Sequence, residues 1–140
     1  MSPIQIQTHL SISPEVAWKL YTEPEHITQW NFASPDWHCP WAKNNLEIGG
    51  TYQAFMQAKD QSFEFVFEAT YTDIEPGQHF VYVMPDQRNI RVDFQPLDSG
   101  TQVTVTFDPE NENPIDLQRQ GWQAILDQYS QYANLQGSMD

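Results

Sequence analysis

The sequence predicts an α+β fold: a curved antiparallel sheet of about six strands wrapped around a long C-terminal helix, with two short helices after the first strand. Three observations carry this expectation. Apolar and polar residues alternate over much of residues 52–107, which is the period of a half-buried strand. Short breaks, mostly rich in Gly, Pro, Asn or Asp, interrupt the alternation and suit hairpins. The period then changes: Trp122, Ile125, Leu126, Tyr129, Tyr132 and Ala133 fall at i, i+3, i+4, i+7, i+10 and i+11, one continuous helix face.

Taken in order, residues 3–10 place Ile4, Ile6, Thr8 and Leu10 on one side, a strand. Ser13-Pro14-Glu15 supplies an N-cap, a proline at N1 and an acid in the first turn. The helix that follows carries Val16, Ala17, Leu20 and Tyr21 on its apolar face. Pro24 allows a second short helix with Ile27 and Trp30 turned inward. Residues 31–45 show no period and read as a long loop. The strand patterns are Tyr52 to Gln57, Phe63 to Tyr71, Phe80 to Met84, Ile90 to Phe94 and Val103 to Phe107. Their breaks are Lys59-Asp60-Gln61, Glu75-Pro76-Gly77, Pro85 to Asn89 and Asp98-Ser99-Gly100, so the strands form a meander. Asn113 is the expected cap of the last helix, with Pro114 at N1 and Asp116 in its first turn. Gly121 costs about 1 kcal/mol relative to Ala in a helix, and close approach to another backbone would explain it. The long helix covers the sheet, and space for a ligand is common between such layers.

Composition narrows function. The 140 residues read as a single domain, 1–140, large enough for a real core. A formal net charge of -13 with only six Lys and Arg argues against nucleic acid and against an anionic membrane surface. No stretch approaches the roughly 18 apolar residues of a membrane helix. MSPIQIQTHL lacks the basic and apolar blocks of a signal peptide, and one cysteine forms no internal disulfide. A cytoplasmic protein is expected.

The order of elements and several strings resemble the START-like or SRPBCC superfamily. The resemblance is closest to its branch named after the activator of Hsp90 ATPase. The carrying strings are ISPEVAWKLYTEPEHITQW (12–30), NFASPDWHC (31–39), GGTY (49–52), YTDIEPGQHFVYVM (71–84), VTFDPENENP (105–114) and QRQGWQAILDQYSQY (118–132). The resemblance implies the helix-grip fold, a curved antiparallel sheet around a long C-terminal helix. Several superfamily members bind apolar small molecules. Co-chaperones of the branch carry a further N-terminal domain that does much of the Hsp90 binding, for which this chain is expected to have no room. Relatives often have a basic residue where this chain has Phe55 and a charged one where it has Trp41, so the expected pocket is more apolar than theirs.

The segment SPDWHCPWAKNN raises the question of a reaction centre. His38 and Cys39 are neighbours in an extended segment and point to opposite sides, so one is poorly placed to activate the other. A lone cysteine commonly acts as a small buried apolar residue. No pair of His9, His26, His38, His79 and Cys39 shows metal-ligand spacing. No nucleophile elbow, P-loop or dinucleotide fingerprint is present. Glu64 and Glu68 are separated by roughly 13 Å of strand, too far to share a proton. Asp108, Glu110 and Glu112 read as stabilisers of the last helix start. No catalytic residue, metal or cofactor is therefore assigned.

The aromatic cluster reads either as a seal on the core or as a pocket wall or lid. The candidate pocket residues are Trp30, Phe32, Trp37, His38, Cys39 and Trp41, with Phe65 and Phe67, Tyr82 and Met84, and Trp122 and Leu126 facing the same space. Phe55 is added as a weaker member, because Gln53 and Gln57 share its strand face. The expected function is non-covalent binding of an apolar or aromatic small molecule. A co-chaperone or protein-interaction module using the acidic surface is one alternative. A hydrolase- or cyclase-like enzyme is the other, with His38, then Cys39 and Glu64, as its first residues to test. A protein partner or a homodimer stays open.

Overall fold

The structure, a computed structural model, describes residues 2–138. β1 (Ile4–Leu10) is followed by α1 (Pro14–Thr22) and α2 (Pro24–Ile27). Then come β2 (Trp37–Asn44), β3 (Thr51–Ala58), β4 (Glu64–Glu75), β5 (His79–Val83), β6 (Asn89–Leu97), β7 (Gly100–Phe107) and α3 (Ile115–Ser138). All neighbouring strands are antiparallel, in one sheet of order β1-β7-β6-β5-β4-β3-β2.

The sheet has seven strands rather than about six. The additional one is β2, in the segment expected to be a loop. It pairs His38 with Gln57 and Trp41 with Phe55, so Cys39 and Pro40 together oppose Met56. This is a β-bulge on an edge strand, where a proline is tolerated because no ladder hydrogen bond is needed from it. The bulge shifts the side-chain alternation and hides the strand period.

The helices begin where local chemistry places them. Ser13 Oγ accepts from the Val16 N–H at 3.3 Å, with Pro14 at the start of α1. Glu23, extended because Pro24 follows it, closes α1 by donating its N–H to Lys19 O at 3.0 Å. α3 starts differently from expectation. Pro114 O accepts from both Leu117 and Gln118 N–H at 3.1 Å, so Pro114 takes the cap position and Asn113 lies outside it. Glu110 and Gln118 brace the approach. The Glu110 carboxylate accepts from the Asn113 N–H at 2.8 Å, and Gln118 Nε2 donates to Asn113 O at 2.8 Å. Gly121 also departs from expectation: a Cβ there would meet nothing within 4 Å, so no close backbone explains it.

α3 lies along β1. Gln123 Nε2 donates to Gln7 O at 3.3 Å, and the Ser11 N–H donates to Asn134 Oδ1 at 3.0 Å. These contacts use backbone groups of the edge strand and the residue after it, which would otherwise be open to pairing. At the far end of β1, Gly100 has φ 144°, and a Cβ there would sit 1.9 Å from Leu10 O. Only glycine fits this close approach. The concave face then buries Ile4, Phe80, Val92, Phe94, Val103 and Phe107 together with Tyr129 and Ala133 of α3 and Ala17 and Leu20 of α1.

Candidate functional site: an aromatic cavity between sheet and helix

The same alternation that builds the core leaves a space. A cavity of about 260 Å³ is lined by Ile6, Tyr21, Trp30, Asn31, Tyr52, Met56, Phe65, Phe67, Tyr82, Met84, Arg88, Val105, Trp122, Ile125 and Leu126. Inward positions of β3 and β4 supply one wall: Tyr52 stands opposite Ala69, and Met56 opposite Phe65. Ala69 is small, and the Tyr52 and Tyr82 rings come within 5.4 Å of each other. Trp122 of α3 stacks on Phe107 with centroids 4.0 Å apart and meets Phe67 edge-on at 6.3 Å. Trp30 is fixed by donating its Nε1–H to Leu20 O at 3.0 Å. Phe65 is half exposed and Arg88 lies in the β5–β6 turn, so they mark the rim.

The lining carries few polar groups. Asn31 donates to the Tyr52 hydroxyl at 3.1 Å. Burial raises the phenols of Tyr21, Tyr52 and Tyr82 above their ordinary value of 10.0, so they remain neutral donors across the physiological range. Arg88 is the lining cation, and Asp86 already compensates it through Nε at 2.7 Å. Such a site can enclose an apolar body and orient it with a few hydrogen bonds.

Seven of the expected residues meet at this cavity: Trp30, Phe65, Phe67, Tyr82, Met84, Trp122 and Leu126. Phe32, Trp37, His38, Cys39, Trp41 and Phe55 do not line it. Phe32 is tied back through its N–H to Trp30 O at 2.8 Å. Trp37 packs on Phe65 at 6.0 Å, one ring outside the lining. Trp41 and Phe55 stack at 5.6 Å and 15° on the convex face, with Lys43 Nζ 5.4 Å from the Trp41 ring. The more apolar character expected from Phe55 and Trp41 therefore falls on the convex face and not in the cavity. His38 Nε2 is bonded to Gln57 Oε1 at 2.8 Å, and Gln57 donates to Glu64 at 3.4 Å, a row across β2, β3 and β4. Cys39 is buried beneath the bulge, its Sγ donating to Trp41 O at 3.4 Å. Burial pushes its thiol up to about 11, opposed in part by a backbone hydrogen bond from Phe55.

Sequence reasoning missed Ile6, Tyr21, Asn31, Tyr52, Met56, Arg88, Val105 and Ile125 as lining residues. Tyr52 and Met56 were legible, since they share the face of β3 opposite to Phe55. Asn31 and Arg88 sit outside any period and gave no signal. Glu23, Glu25 and His26 bring three potential ligand atoms within 4.8 Å of one another. His26 Nδ1 is engaged by the Tyr132 hydroxyl at 2.6 Å and its Nε2 lies 3.6 Å from Glu23, which makes the group a bonded surface cluster. Among the described residues, no helix is long and apolar enough to cross a membrane.

An antiparallel sheet curved around a long C-terminal helix, with an aromatic cavity between them, defines a helix-grip protein of the START-like class. The chain belongs to the family of activator of Hsp90 ATPase homolog 1-like proteins, whose model matches residues 11–134. It is similar to the AHSA1-like protein from Aeromonas hydrophila, known from a solution structure, at 36% identity and a TM-score of 0.91, covering 96% of this chain and 94% of that one. It is also similar to Chr148 from Cytophaga hutchinsonii, at 36% identity and a TM-score of 0.83, covering 99% of this chain and 96% of that one. CV1439 from Chromobacterium violaceum shares the fold at 19% identity and a TM-score of 0.85, covering 96% and 99%. The comparison with curated proteins gives no match.

Proposed function

We propose that this protein binds an apolar or aromatic small molecule, without covalent chemistry, in the cavity between the sheet and α3, and that it does so in the cytoplasm. The cavity carries the reading: about 260 Å³ enclosed by tryptophan, phenylalanine, tyrosine and aliphatic side chains, with few polar groups. The groups first considered for catalysis support binding rather than turnover. His38, Cys39 and Glu64 lie outside the cavity lining, and the thiol, held at about 11, is protonated at neutral pH.

The test is native mass spectrometry of the purified protein followed by a thermal-shift screen of apolar and aromatic compounds. Binding to the folded state at a hundredfold excess over Kd adds about 2.7 kcal/mol, several degrees for a domain of this size. Val105→Phe, which fills the cavity from β7, is expected to remove the shifts relative to its own unliganded melting point. An absence of any co-purified molecule and of any shift across the library would sink this reading.

A second reading is favoured by the convex face. Trp41 and Val66 are 37% and 44% exposed, on a chain of net charge -13. A protein-interaction module of the Hsp90-activator kind would use this face and bind its partner in a salt-sensitive way.

A further inference from the structure

Five tyrosines are buried in the core, and their hydroxyls divide into two groups. Tyr71 donates to Asn44 Oδ1 at 2.8 Å, and Asn44 in turn donates to Thr22 O at 2.7 Å. Tyr129 donates to Ala17 O at 2.6 Å. Neither residue lines the cavity. The other three are Tyr21, Tyr52 and Tyr82, which are 8%, 3% and 4% exposed. Among the described residues none of these three hydroxyls donates to a protein acceptor; Tyr52 only accepts, from Asn31. All three line the cavity. No buried polar side-chain atom is both sealed from solvent and unpartnered, so the hydroxyls of Tyr21 and Tyr82 keep accessible surface, and the cavity they line provides it.

A buried hydroxyl without an acceptor is costly, and a fold that supplies acceptors to Tyr71 and Tyr129 does not lack the means. We propose that Tyr21, Tyr52 and Tyr82 form a donor floor for an uncharged ligand that carries an acceptor oxygen, of the carbonyl class, on an aromatic or apolar skeleton. This rests on the cavity-binding reading and names its ligand class. Burial keeps the three phenols protonated, so they donate rather than act as bases. The charge of the ligand follows from the lining: its cation, Arg88, is already paired with Asp86, and a buried carboxylate would lack a counter-ion.

The test uses a matched pair of probes, benzophenone and diphenylmethane, which differ in one carbonyl oxygen, with 2-benzoylbenzoate as the anionic analogue. Affinities are read by quenching of tryptophan fluorescence, since Trp30 and Trp122 line the site. Benzophenone is expected to bind about tenfold tighter than diphenylmethane, the effect of one net hydrogen bond. Tyr52→Phe and Tyr82→Phe should bring that ratio towards one by weakening benzophenone more than diphenylmethane. Tyr82→Phe should melt no lower than the parent, because its hydroxyl has no protein partner among the described residues, whereas Tyr52→Phe should melt lower, because it also removes the acceptor of Asn31. Binding of both probes with no preference would overturn the donor floor and leave the cavity-binding reading standing, the hydroxyls then serving water alone. Tighter binding of 2-benzoylbenzoate would overturn the uncharged class. Binding of neither neutral probe would overturn both readings.

Discussion

The two faces of the sheet carry aromatic groups of similar make-up and opposite consequence. On the concave face Tyr52 meets Phe67 at 83° and Tyr82 at 60°, with centroids 5.9 and 5.4 Å apart. On the convex face Trp41 lies flat on Phe55 at 15°. Both are accepted aromatic geometries. Rings packed edge-on beneath a covering helix leave space between them, and α3 encloses that space. A flat pair on an uncovered face encloses nothing. Position relative to the pleat, and not residue type, decides which aromatics belong to a site.

The largest effect expected from this difference is alkaline. Burial raises the phenols of Tyr21, Tyr52, Tyr71, Tyr82 and Tyr129 above their ordinary value of 10.0. Each contributes stability that is complete below about 10, the unfolded value, and is lost as pH rises through its higher folded value. The Cys39 thiol adds the same sign, complete below 9.0 and lost through about 11. An alkaline titration followed by phenolate absorbance and circular dichroism should show these tyrosines ionising together with unfolding. Independent ionisation near pH 10 with an intact fold would contradict their burial.

Next in size is a pair of tryptophan deletions. Trp30→Ala removes a side chain only 2% exposed and should cost about 3–5 kcal/mol in denaturant unfolding. Trp41→Ala, on the convex face, should cost less than about 1 kcal/mol. Equal costs would dissolve the distinction between the faces.

Within the concave group the tyrosines sharpen it further. Tyr71→Phe and Tyr129→Phe remove the buried hydrogen bonds to Asn44 Oδ1 and Ala17 O and should lose about 1–2 kcal/mol each. Tyr21→Phe and Tyr82→Phe should lose nothing. The same melting curves distinguish the two pairs.

The smallest expected effect has the opposite sign. Gly121 faces open space, so Gly121→Ala should stabilise the protein by about 0.5–1 kcal/mol. A loss would mean that the helix approaches something at that point after all.

Most of the fold was legible because its elements repeat a period. The alternation from Tyr52 to Phe107 and the face from Trp122 to Ala133 needed no tertiary information. β2 was hidden because Pro40 and the bulge shift its alternation within eight residues. That one miss produced most of the misplaced site residues. A loop would keep Trp37, His38, Cys39 and Trp41 together, whereas the bulged strand turns His38 and Trp41 to the convex face and Cys39 beneath the bulge. Phe55 followed the same error even though its partners Gln53 and Gln57 marked an outward face. Arg88 and Asn31 enter the cavity through chain reversals, where the sequence carries no period to read.

The central claim is that the concave cavity, and not the convex face, is the binding surface. The most direct measurement is a heteronuclear NMR titration of the labelled protein with benzophenone. The account expects chemical-shift changes concentrated on Ile6, Tyr52, Met56, Val105, Trp122 and Leu126, with Trp41 and Phe55 unmoved. Shifts confined to Trp41, Phe55 and Val66, with the cavity residues silent, would contradict it.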